Sequence, residues 1–91
     1  MQVTVIGPNL PSRLANRGSM HVHKAGCRDI AIEHYPMENA DTMEAANVAE
    51  IVESIYPASD FCYDPENPAE YAPYRDDIYV APCVTIPAWR A

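Results

Sequence analysis

D-T-M-E-A-A-N-V-A-E-I-V-E-S-I-Y, residues Asp41–Tyr56, is the one long periodic stretch in the chain. At about 100° per residue, Ala45, Val48, Ala49, Ile51, Val52, Ile55 and Tyr56 fall in one arc, with Asn47, Glu50, Glu53 and Ser54 opposite. This pattern predicts one long helix with a buried face. Asp41 followed by Glu44 has the form of a capping box, with both acids favoured by the helix dipole. Pro57 ends the helix, because the residue before a proline avoids helical geometry.

Outward from this helix, Gln2–Ile6 alternates β-branched residues and ends in the turn residues Gly7-Pro8-Asn9, which predicts a strand. Asn9–Gly18 reads as a mobile polar loop. Ser19–His23 alternates again and predicts a second strand paired with the first. Cys27–Tyr35 fits either one or two helical turns or a strand, with helix preferred, and Pro36–Ala40 links it to the main helix. Ile78–Cys83 returns to strand character, with Pro82 marking an edge or a strand end. The tail 84–91 is expected to be loosely held unless Trp89 docks. The expected fold class is α+β in two layers: a small antiparallel sheet of about three strands on one long helix, plus a short extra helix. One sheet face is buried by Val48, Val52 and Ile55, and the other is left to solvent or a partner.

A chain of 91 residues makes one domain, 1–91, with a modest core. No apolar run approaches the ~20 residues needed to span a bilayer. The opening M-Q-V-T-V-I-G-P lacks the basic region of a signal peptide, so the cytosol is the default compartment. Cys27, Cys62 and Cys83, odd in number and widely spaced, fit reduced thiols better than a disulfide framework.

The net charge of −7 is unevenly placed. Residues 1–28 carry Arg13, Arg17, Lys24 and Arg28 and no acid, whereas 29–91 carry all 13 acids and only Arg75 and Arg90. A basic arm thus precedes an acidic body. That asymmetry implies internal steering of the arm onto the body, a basic partner, or a homodimer in which the arm of one copy meets the body of another. Four basic residues are too few for a nucleic-acid face, so no direct nucleic-acid binding is expected.

Residues 58–77 form an acidic, proline- and tyrosine-rich segment, expected to be irregular and pinned to the surface by its aromatics. Asp60, Phe61, Tyr63, Asp64, Glu66, Glu70, Tyr71 and Tyr74, together with Arg13 and Arg17, are the candidate partner-binding residues. An alternative use of the same carboxylates is DNA mimicry toward a DNA-binding protein.

A second candidate is His21-Val22-His23 with Cys27 four residues on. On a strand both imidazoles point to one face, and Cys83 or Cys62 could join them in a zinc-type ligand set. The spacing matches no finger or ribbon, and the plainer reading is half-exposed strand histidines beside a small core cysteine. No catalytic constellation is present, since no oxyanion loop, nucleophile elbow or glycine-rich phosphate loop can be drawn. The expectation is therefore a non-enzymatic protein with no cofactor.

Thr4–Leu10, T-V-I-G-P-N-L, and His21–Cys27, H-V-H-K-A-G-C, resemble the opening of small proteins of unassigned function encoded by mycobacteriophages and related actinobacteriophages. The resemblance covers the first third of the chain. It implies expression in the cytoplasm of the infected host bacterium and action by binding and modulating a host protein. It carries no catalytic residues with it.

Overall fold

Strand β1, Gln2–Ile6, is β-branched at four of its five positions and pairs on both sides, which places it inside the sheet. The computed structural model describes residues 1–89. β2, Met20–Lys24, lies antiparallel to β1, with Thr4 opposite His23 and Ile6 opposite His21. On the other side of β1 runs an antiparallel strand β3, Ala40–Glu44, and a short β4, Ile78–Val80, adds to β2 in parallel. The order is β3-β1-β2-β4. The fold class is α+β as expected, but the sheet has four strands and is mixed, not three and antiparallel.

The expected long helix divides. Its first turns are β3, and the helix α3 covers only Val48–Ile55. The motif of a capping residue followed three positions later by Glu occurs twice here, at Asp41/Glu44 and at Asn47/Glu50. The second one caps. The Asn47 side chain accepts from the Glu50 amide at 2.9 Å, and the Glu50 carboxylate accepts from the Ala46 amide at 3.2 Å. Asp41–Glu44 instead satisfies its backbone by pairing with β1, leaving Asp41 and Thr42 exposed. The predicted arc holds over its first five members: Ala45, Val48, Ala49, Ile51 and Val52 are buried, and Ile55 and Tyr56 are half-buried.

Four further helices are described. α1, Ser12–Ala15, and α2, Asp29–Ile32, flank β2 in the chain; α4, Ala58–Phe61, and α5, Pro68–Asp76, follow α3. Residues 9–18 are therefore not a structureless loop, because α1 buries Leu14. The helical reading of 27–35 holds for α2. A single 3-10 turn, Met37–Asn39, then leads into β3. The segment 58–77 is largely helical rather than irregular. Asn67 caps α5 by accepting from the Ala69 amide, and Pro68 occupies the first helical position, where a missing N–H costs nothing.

Both faces of the sheet are covered. Val3, Val5 and Val22 face α3 and α5, where Ile51, Val52, Tyr71 and Ile78 complete the main core. The opposite face, expected to be open, carries Ile6, His21 and His23 beneath Leu14 and Tyr35. The tail is also held: Val48 N donates to Pro87 O, and the Trp89 ring packs 5.4 Å from that of Tyr71. Arg90 and Ala91, the end of the predicted tail, lie outside the described residues. Among the described residues no helix is long and apolar enough to cross a membrane.

Candidate functional site

The buried histidines form the floor of a polar cluster on the covered sheet face. Alternation along β2 sends His21 and His23 to the same side, as the sequence predicts, but they are 0% and 2% exposed rather than half-exposed. Burial holds the pKa of each below its ordinary value, so both imidazoles are neutral near pH 7.

α2 delivers their shared partner. Its last turn reverses at His34, with φ +56°, and the Tyr35 amide donates back to Ile30 O at 3.3 Å, a Schellman-type ending. The chain thereby folds Tyr35 under the sheet. Its hydroxyl lies 2.6 Å from Nδ1 of His21 and 3.0 Å from Nε2 of His23. His21 Nε2 lies 2.8 Å from the carbonyl oxygen of Leu14, supplied by α1.

That last contact sets the direction of the whole chain of hydrogen bonds. A carbonyl only accepts, so His21 Nε2 carries the proton and Nδ1 of the neutral ring is an acceptor. The Tyr35 hydroxyl donates to it and accepts from Nε2–H of His23. Nδ1 of His23 is left unprotonated, as an acceptor. Burial raises the Tyr35 pKa far above its ordinary range, so the hydroxyl remains a donor.

Two thiols meet that nitrogen. Cys83 Sγ lies 3.7 Å from His23 Nδ1, and one ligand atom each of His23, Cys27 and Cys83 lies within 4.8 Å of the others. Lys24-Ala25-Gly26-Cys27 is a tight turn closed by Cys27 N donating to Lys24 O at 3.0 Å. Gly26 takes φ +79° at the position where a type II turn needs glycine. This turn returns Cys27 beneath the end of β2. Cys83 arrives just after β4, whose parallel pairing with β2 fixes its height, and the Lys24 amide donates to its sulfur at 3.2 Å. Burial pushes the Cys83 thiol pKa up.

The expected trio of His21, His23 and Cys27 is thus changed in one member. His21 has both ring nitrogens engaged, and Cys83 takes its place; Cys62 sits exposed at the end of α4 and is not part of the group. Tyr35 and Leu14 had no sequence signal as participants.

No protein-family model, curated protein or solved structure matches the chain.

The other candidate residues separate into surface and core. Asp60, Phe61, Asp64, Glu66 and Glu70 are exposed, and Tyr63 and Tyr74 are half-buried. Tyr71 is 2% exposed and belongs to the core, so it is not offered to a partner. Phe61 remains 42% exposed while packing edge-on against Tyr56 and Tyr74, with centroids 5.3 and 5.4 Å away. Arg13 and Arg17 are engaged by their own chain. Arg13 donates to the Glu33 carbonyl at 2.8 Å, and Arg17 lies 3.4 Å from the Glu33 carboxylate with its guanidinium 5.3 Å over the Tyr79 ring.

Proposed function

We propose that the protein is a non-enzymatic binding protein whose acidic, aromatic face on α4 and α5 engages a partner with a basic surface. The observation that supports this reading best is Phe61, an exposed ring held rigidly by Tyr56 and Tyr74 and neighboured by Asp60 and Asp64. A fixed aromatic anchor inside a charged rim is the composition of an interface hot spot. The self-contained contacts of Arg13 and Arg17 favour internal steering of the arm, which leaves the acidic body as the charged surface open to others. The likeness of Thr4–Leu10 and His21–Cys27 to phage proteins supports a host bacterial protein as that partner, met in the cytoplasm of the infected cell.

Capture from mycobacterial lysate, followed by direct binding of the purified candidate, tests the proposal. Phe61→Ser is expected to weaken the direct interaction at least tenfold, or about 1.4 kcal/mol, with an unchanged circular dichroism spectrum. Equal affinity of the variant and the parent would refute this face as the binding surface.

A further inference from the structure

We propose that His23 Nδ1, Cys27 Sγ and Cys83 Sγ bind a soft divalent metal ion of the zinc class, with solvent in the fourth position. Tetrahedral zinc holds sulfur at about 2.3 Å and nitrogen at about 2.0–2.1 Å, which sets sulfur–nitrogen edges near 3.6 Å and sulfur–sulfur edges near 3.8 Å. The observed 3.7 Å between Cys83 Sγ and His23 Nδ1 already matches such an edge. From the 4.8 Å limit, the Cys27–Cys83 pair needs to close by at most about 1.0 Å and the Cys27–His23 pair by at most about 1.2 Å.

Three features beyond proximity point to an ion. The hydrogen-bond chain running from His23 through Tyr35 and His21 to Leu14 O leaves Nδ1 of His23 unprotonated on the side of the two thiols. A metal-binding histidine needs its other nitrogen held in this way, and Tyr35 holds it. The Lys24 amide donating to Cys83 Sγ is the matching outer contact for a thiolate. Two sulfurs and an imidazole select zinc-class ions over magnesium or calcium. Cys27 and Cys83 are each only half-buried, which leaves the fourth position open to solvent.

On binding, each thiol loses its proton to solvent as its sulfur bonds the ion, so one ion and two thiols yield one bis-thiolate centre and two protons. No electron is transferred. The ion would tie the end of β2 to the segment after β4, 60 residues further on. In a chain this small such a staple adds directly to stability.

Cobalt(II) titration of reduced, metal-free Cys62→Ser protein tests the site, because that substitution removes the exposed thiol. One equivalent is expected to produce ligand-field bands in the red and thiolate-to-cobalt charge transfer in the near ultraviolet. Zinc should displace cobalt completely, with about two protons released per ion bound. Adding Cys83→Ser should remove about half of the charge-transfer intensity and weaken binding at least tenfold. Absence of charge transfer in folded Cys62→Ser protein would overturn the proposal. So would its persistence after Cys27 and Cys83 are both replaced by Ser, or a Cys27–Cys83 disulfide in protein isolated without oxygen.

Discussion

The Tyr35 hydroxyl lies 2.6 Å from Nδ1 of His21 and donates to it. It also accepts from His23, so one oxygen serves two buried rings. Tyr35→Phe keeps the ring and deletes that oxygen. His21 Nδ1 then loses its donor and His23 Nε2–H its acceptor, and each orphaned buried group costs about 1–3 kcal/mol. The variant is expected to unfold at clearly lower urea concentration. It should also bind cobalt about 10–100-fold more weakly with an unchanged band shape, because the ligands remain while the tautomer is no longer held. Unchanged metal affinity would leave Tyr35 with a structural role alone.

The cap of α3 makes a second prediction, because two similar motifs lie six residues apart. Asn47→Ala removes an observed cap bond to the Glu50 amide and should destabilise by about 1 kcal/mol. Asp41 sits exposed on β3, where its carboxylate accepts from the neighbouring Thr42 amide. Asp41→Ala should stay within about 0.5 kcal/mol of the parent. Denaturant midpoints of the two variants decide between a helix that starts at 48 and one that starts at 42. A larger loss for Asp41→Ala would support the longer helix.

That contrast also shows where the sequence was legible. β1 and β2 follow from local alternation and turn residues, α2 was the preferred of two readings that the sequence left open, and the shared face of His21 and His23 follows from the period of a strand. The start of α3 did not, since Asp41-x-x-Glu44 and Asn47-x-x-Glu50 carry the same local signal and only pairing with β1 separates them. α1 was hidden because a single apolar residue, Leu14, anchors it. Cys83 reaches His23 through the parallel β2–β4 pairing, a contact that no local pattern encodes. Tyr35 joins the cluster through the left-handed turn at His34, a conformation uncommon for any residue but glycine. In 58–77 the prolines read as breakers, yet Pro68 starts α5 and only Pro73 lies inside it.

The junction of β2 with β4 supplies a pH prediction. The Asp77 carboxylate accepts from the Ser19 hydroxyl at 2.5 Å and from the Tyr56 hydroxyl, while the Ser19 amide donates to the Asp77 carbonyl. The Ser19 bond first, and the Tyr56 bond second, hold the Asp77 pKa below its ordinary value. A carboxylate depressed in the folded state favours folding above its unfolded pKa, about 3.9, and that benefit disappears as pH falls through the folded value. The group is exposed, so solvent screens it and the effect is modest. Asp77→Asn cannot ionise, and its stability should fall less steeply than that of the parent between about pH 5 and pH 2. Urea midpoints measured across that range supply the comparison. Parallel acid limbs for the two proteins would mean that the Ser19 and Tyr56 hydroxyls bind the neutral and ionised forms of Asp77 equally, against the direction of its shift.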